Sequence, residues 1–142
     1  MTAHVIRWGI LGTGRIAGVF AEGLRELPDA RLVAVGSRAQ ETADAFGDKY
    51  GVLRRHASYA ALAEDPEVDA VYIAVPNRFH AALAIQALEA GKHVMLEKPF
   101  AMNATEAEAA AEAAAKAGKV LTLGMNQRFG RVPQQVKALV ES

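Results

Sequence analysis

Short apolar runs alternate with longer stretches of helical periodicity along the whole chain. Residues 5–11 form a continuous β-type run closed by Gly12. The next stretch puts Ile16, Phe20, Leu24 and Leu27 on one helical face and stops at Pro28. Residues 31–35 read as a second strand, and 39–50 as a helix ended near Gly51. A short third strand is expected at 53–56, with Ser58 capping a brief helix through Leu62. Residues 68–75 are apolar at nearly every position, as a parallel strand covered on both faces should be. Pro76-Asn77 breaks that run, and a helix follows with Phe79, Leu83, Ala87 and Leu88 inward and Gly91 at its C-terminal end. Residues 93–96 are a fifth strand, broken at Lys98-Pro99. Asn103 with Glu106 makes a capping box for an Ala-rich helix to Ala117, ended by Gly118. Residues 120–123 are a last strand, and 132–140 carry apolar residues at helical spacing. Strand and helix in strict alternation predict an α/β fold: a doubly wound parallel sheet of the Rossmann type, with right-handed crossovers.

Bulk properties narrow the class. A chain of 142 residues suits one well-buried domain. Lys plus Arg and Asp plus Glu number 16 each, so no net field favours nucleic acid or an anionic membrane. With no cysteine, thiolate metal sites and cysteine nucleophiles are excluded, and His4, His56, His80 and His93 lack metal-ligand spacing. The first residues show no secretory signal, and a cytoplasmic setting is the expectation.

The chemistry gathers at the ends of strands. Gly12-Thr13-Gly14-Arg15-Ile16-Ala17 is G-x-G-x-x-A between a strand and a helix. Gly12 permits the tight turn, Gly14 lets the backbone approach a pyrophosphate, and Ala17 lets the helix pack closely; the free N–H groups then face the phosphates. The second strand ends in Val35-Gly36-Ser37-Arg38, with no carboxylate to accept from a ribose 2′-hydroxyl. Ser37 can donate and Arg38 can clamp a 2′-phosphate, so NADP is preferred over NAD, although Arg38 could also stack on adenine or stand solvated. Asn77 can cap the helix after it and can also reach a ribose or the nicotinamide. His80, a turn later, reads first as a satisfied core or surface histidine and second as a substrate-side contact. Lys98 ends a strand beside a proline, where a partly desolvated amine can share a hydroxyl proton. Both peptide isomers at Lys98-Pro99 are open.

These segments resemble the glucose–fructose oxidoreductase/inositol dehydrogenase family through GILGTGRIA (9–17), AVGSR (34–38), AVPNRFHAALAIQALEAGKHVMLEKPFAMNATEA (74–107) and MNQRF (125–129). The resemblance implies that Lys98 is the catalytic lysine and that Glu97, Pro76, Asn77 and His80 line the nicotinamide end. It also implies that Asn126 and Arg128 approach cofactor or substrate. The activity it implies is hydride transfer between NAD(P) and a sugar, polyol or related hydroxy compound. A non-catalytic dinucleotide-binding module is the competing reading. Members of that family continue into a second α/β domain that supplies most of the substrate pocket. Residues 1–124 are therefore expected to be the dinucleotide-binding domain and 125–142 a segment leading toward a domain this sequence does not contain. A complementary C-terminal domain or self-association would cover the faces so exposed.

Overall fold

The computed structural model describes residues 5–141, so His4 and Ser142 lie outside the described residues. Six strands, β1 (Ile6–Leu11), β2 (Ala30–Gly36), β3 (Arg54–His56), β4 (Ala70–Ile73), β5 (His93–Glu97) and β6 (Leu121–Gly124), form one sheet. Their order is β3-β2-β1-β4-β5-β6, and every neighbouring pair is parallel. The chain winds outward through β2 and β3, then crosses to the other side of β1. That reversal between β1 and β4 opens a crevice at the carboxyl ends of the strands.

The helices are α1 (Arg15–Arg25), α2 (Gln40–Tyr50), α3 (Tyr59–Ala63), α4 (His80–Glu89), α5 (Ala104–Ala117) and α6 (Arg131–Glu141). Strand side chains alternate between two cores, as a pleated sheet requires. Leu11, Ala34, Val71, Ile73, Val94 and Leu96 pack with Leu62, Ala84, Ala87 and Leu88. Ile10, Val35 and Tyr72 point to the other face and pack with Ala17, Ala21, Ala43 and Phe46. β4 is buried at all four positions, which accounts for its unbroken apolar sequence.

Helix boundaries follow the predicted signals. Asn103 Oδ1 accepts from the Glu106 amide at 2.9 Å, and Glu106 reaches back to the Met102 amide at 3.0 Å. Ser58 Oγ accepts from the Ala61 amide at 3.1 Å to open α3. Gly51 and Gly118 close α2 and α5 in the left-handed region.

Three expectations change. The predicted strand over 68–75 pairs only over Ala70–Ile73, because Val68 and Val75 are buried in the flanking turns. The inward face of α1 is Ala17, Gly18, Ala21 and Leu24, with Phe20 half-buried against Tyr72, while Ile16 and Leu27 are exposed; a Cβ on Gly18 would strike the Tyr50 hydroxyl of α2. Asn77 caps no helix. It begins a 3-10 turn, Asn77–Phe79, that precedes α4, and neither element has a side-chain cap. The predicted terminal helix forms as α6 but buries none of its residues. No helix among the described residues is long and apolar enough to cross a membrane.

Candidate functional site

The turn after β1 is built around Gly12, whose φ of +100° is costly for any residue with a side chain. A Cβ there would stand 2.3 Å from the Ala74 carbonyl oxygen at the end of β4. The two strands flanking the crevice thus touch backbone to backbone. Gly14 differs: its φ is ordinary at −77°, and a Cβ on it would meet no protein atom within 4 Å. Its bareness leaves open the space before α1. Among the described residues no side chain caps α1, and the first N–H groups of the helix carry the positive end of its dipole.

Around this turn lies a cleft of about 420 Å³. Gly12, Thr13 and Gly14 form one wall, Ser37, Arg38, Ala39 and Thr42 the second, and Ala74, Val75 and Pro76 the third, with Tyr59 completing it. A larger hollow of about 700 Å³ sits at the opposite, amino edge of the sheet, among Ile6, Trp8, Met95 and Thr122. That hollow has neither a helix N-terminus nor a strand-end loop of the kind an α/β sheet uses for ligands, so the smaller cleft is the candidate site.

Arg38 is exposed at the start of α2, whose N-cap Ala39 also provides no side-chain acceptor. Ser37 is only 7% exposed and its hydroxyl lies 2.5 Å from Thr42 Oγ1, which in turn donates to the Ala39 carbonyl. Thr42 has spent its proton, so Ser37 donates to it and keeps only lone pairs for anything else. The anticipated Ser37 donor is therefore engaged, and Arg38 is the cation left facing the cleft.

On the far side, Pro76 and Asn77 are exposed, as is Lys98, so the expected partial desolvation of Lys98 is not found. Among the described residues its ammonium has no hydrogen-bond or ion-pair partner. The Lys98-Pro99 peptide is cis. Glu97 is half-buried and held from behind: Tyr72 Oη donates to its Oε1 at 2.5 Å, and its Oε2 accepts from the Lys98 amide at 3.2 Å. Tyr72 stacks on Phe20 of α1 with ring centroids 3.8 Å apart. Burial pushes the Tyr72 phenol well above its usual range and the Glu97 carboxylate adds to this, so it stays a donor.

His80 does not face the crevice. It is 1% exposed, its Nδ1 is 2.6 Å from the Pro99 carbonyl and its Nε2 2.8 Å from the Val75 carbonyl. Both ring nitrogens are occupied, so the satisfied core histidine of the sequence reading is found, and the ring has no free nitrogen directed at the crevice. Ala17 is fully buried and serves helix packing rather than ligand contact. Arg15 and Ile16 are exposed beside the glycine turn, and Asn126 and Arg128 are exposed on the 3-10 turn Asn126–Phe129 that leaves β6. Thr42, Tyr59 and Tyr72 were not anticipated. Thr42 is one position in a helical turn, and Tyr72 hides in an apolar strand. Tyr59 follows a capping serine, and its place beside Pro76 depends on the sheet order.

Residues 6–125 match the family model described as an oxidoreductase family with an NAD-binding Rossmann fold. The chain is similar to myo-inositol 2-dehydrogenase of Thermotoga maritima, 34% identical over 137 residues, or 96% of this chain and 41% of that protein. It is 38% identical to the NADP(+) scyllo-inositol 2-dehydrogenase of Bacillus subtilis over 88% of this chain and 38% of that protein. Among solved structures, a 3-ketoreductase from Actinomadura kijaniata crystallised with NADP superposes with a TM-score of 0.91 at 31% identity, over 97% of this chain and 44% of that one. The chain thus spans about two fifths of the length of these relatives.

Proposed function

The chain belongs to the oxidoreductase family with an NAD-binding Rossmann fold, and from that premise we propose that it binds NADP(H) in preference to NAD(H). The reaction it serves is hydride transfer to or from a sugar, polyol or related hydroxy compound. Residues 1–124 are the binding unit in this reading, and 125–142 lead away from it. The carrying observation is the cleft in which an uncapped α1 N-terminus, the exposed Arg38 and the Pro76-Asn77 turn converge.

The residues present fit a dinucleotide. The space before Gly14 that a Cβ would fill suits a pyrophosphate, which the amides of Thr13 through Ile16 would receive. Arg38 suits a 2′-phosphate because its guanidinium is unspent and no carboxylate stands at 36–38 to repel it. Asn77 offers both a donor and an acceptor at the nicotinamide end, with Pro76 beneath. When bound, the dinucleotide supplies the hydride acceptor or donor. Lys98 manages the proton: as the neutral amine it takes the hydroxyl proton while the carbinol carbon loses hydride, and as the resulting ammonium it returns that proton in reverse, its charge then steadying the alkoxide. Glu97, held by Tyr72, braces the turn that aims it. The hydroxy-compound class is supported by the inositol dehydrogenases among the relatives.

Parallel titrations of NADPH and NADH into the protein and into Arg38→Ala test this reading. A lost charge-assisted contact costs about 1.5–3 kcal/mol, or roughly ten- to a hundred-fold in affinity. NADPH should bind more tightly than NADH and lose that factor in the variant, with NADH unchanged. Equal affinities would remove the NADP preference, and binding of neither would remove the cofactor assignment.

A further inference from the structure

We propose that His80 is a positioning residue: a buried, doubly protonated imidazolium that staples the Lys98-Pro99 turn to the end of β4. This function rests on the oxidoreductase reading for its catalytic consequence, while the staple itself stands on geometry. Both partners of the ring, the Val75 and Pro99 carbonyls, can only accept. A neutral imidazole has one N–H and one lone pair, so it would satisfy one carbonyl and set its lone pair against the other. At 2.8 and 2.6 Å both contacts are hydrogen-bond distances, and the ring that makes two such bonds carries both protons.

Burial strengthens the argument. At 1% exposure the ring has no water to replace either carbonyl. An unpaired cation would be costly there, whereas two charge-assisted bonds compensate for the lost hydration. Among the described residues no carboxylate pairs with the ring. Glu97, two residues before Pro99, is held by Tyr72 on the opposite sheet face, and the flanking cations Arg78 and Lys98 are exposed. The position of His80 at the N-terminal end of α4 opposes a positive charge through the helix dipole. A single-turn dipole effect is smaller than two charge-assisted bonds to carbonyls.

Placement gives the staple its consequence. Bonding back to Val75, His80 closes the loop that carries Pro76 and Asn77; bonding across to Pro99, it holds the turn that carries Lys98. The two loops of the nicotinamide end therefore move as one body. A misplacement far smaller than a side chain lowers the rate of a reaction that depends on alignment.

Nitrogen NMR of the histidine rings in the protein tests the charge directly. Two protonated-type nitrogens at His80 are expected, and one lone-pair-type nitrogen would overturn the imidazolium. His80→Phe, which fills the space without donating, and His80→Gln, which retains donors, test the staple. In folded His80→Phe the amide resonances of Lys98 and Phe100 should shift and broaden while those of Thr13 and Gly14 hold still, with partial recovery in His80→Gln. If His80→Phe leaves the turn resonances unchanged, or disturbs the glycine turn equally, the staple is overturned. If both variants are unfolded, hydrogen exchange in the wild-type protein decides: protection at Phe100 is expected because the staple closes the turn, and exchange at Phe100 as fast as that of an unprotected amide overturns the proposal. None of these readouts requires cofactor, so a failure of NADPH binding would indict the oxidoreductase reading and leave the staple standing.

Discussion

The two edges of the sheet carry similar charged residues and use them in opposite ways. At the amino edge the charges are spent on the protein. Arg7 pairs with Asp69 at 2.7 Å and Glu67 at 2.9 Å. Asp65, 3% exposed, accepts from Arg54 twice at 2.7 Å, bonds His56 at 2.9 Å and takes the Glu67 amide. Lys92, 8% exposed, donates to the Asp65 and Val68 carbonyls; burial lowers its pKa, with Asp65 and Asp69 opposing. At the carboxyl edge Arg38, Asn77, Lys98, Asn126 and Arg128 are exposed, and α1 and α2 begin without side-chain caps. Closed networks mark structure, and unspent donors mark a place built for something else.

Substitutions at the two edges should separate along this line, with stability as the common ruler. The largest loss is expected at a carboxyl-edge residue that is also structural. Gly12→Ala forces a Cβ against the Ala74 carbonyl at positive φ, and about 4 kcal/mol or more should be lost in urea unfolding. A loss under about 1 kcal/mol would mean that the β1–β4 contact yields.

Asp65→Ala comes next. It strands Arg54, but that guanidinium is 44% exposed and can return to water, so the loss should be near the low end of a broken buried pair, about 3 kcal/mol. NADPH affinity of the folded variant should be unchanged. A fall in affinity without a loss of stability would erase the distinction between the edges.

Acid should act through the same residue. Burial alone would raise the Asp65 carboxyl, yet Arg54, the Glu67 amide and His56 outweigh it and hold it well below the usual carboxylate range. The folded value is thus depressed below the unfolded value of about 3.9. Its contribution is full above that unfolded value and is lost as pH falls toward the folded one. Stability measured down that window should fall more shallowly in Asp65→Ala than in wild type.

The smallest stability effect is expected at Lys98→Ala, within about 0.5 kcal/mol, since the ammonium holds nothing in the fold. On the proposed hydride-transfer reading, the same change should reduce turnover by about 10²–10⁴-fold with NADPH affinity intact. Unchanged turnover would favour a dinucleotide-binding module without catalysis.

Much of the fold was legible because its signals are local. Unbroken apolar runs, a glycine turn, Asn103 with Glu106 and Gly118 each act over a few residues, and even β3 and the Ser58 cap appeared where expected. The site was legible as residues and less so as roles. His80 and Lys98 both stood in suggestive motifs, yet one is sealed between two carbonyls and the other is open. Ser37 looked like a free donor, but its hydroxyl already donates to Thr42 Oγ1. In the same way Leu24 kept the inward place its spacing gave it, whereas Ile16 is exposed and Ala17, Gly18 and Ala21 take the buried face.

The sequence by itself determined the alternation of strands and helices, the doubly wound class and the loops that bear chemistry, because periodicity, capping and turn geometry depend on near neighbours in the chain. Only the tertiary structure decided which polar groups are spent and which are free. Hydrogen-bond partners such as Pro99 for His80, or Glu97 for Tyr72, lie 19 and 25 residues away and meet only once the sheet is assembled.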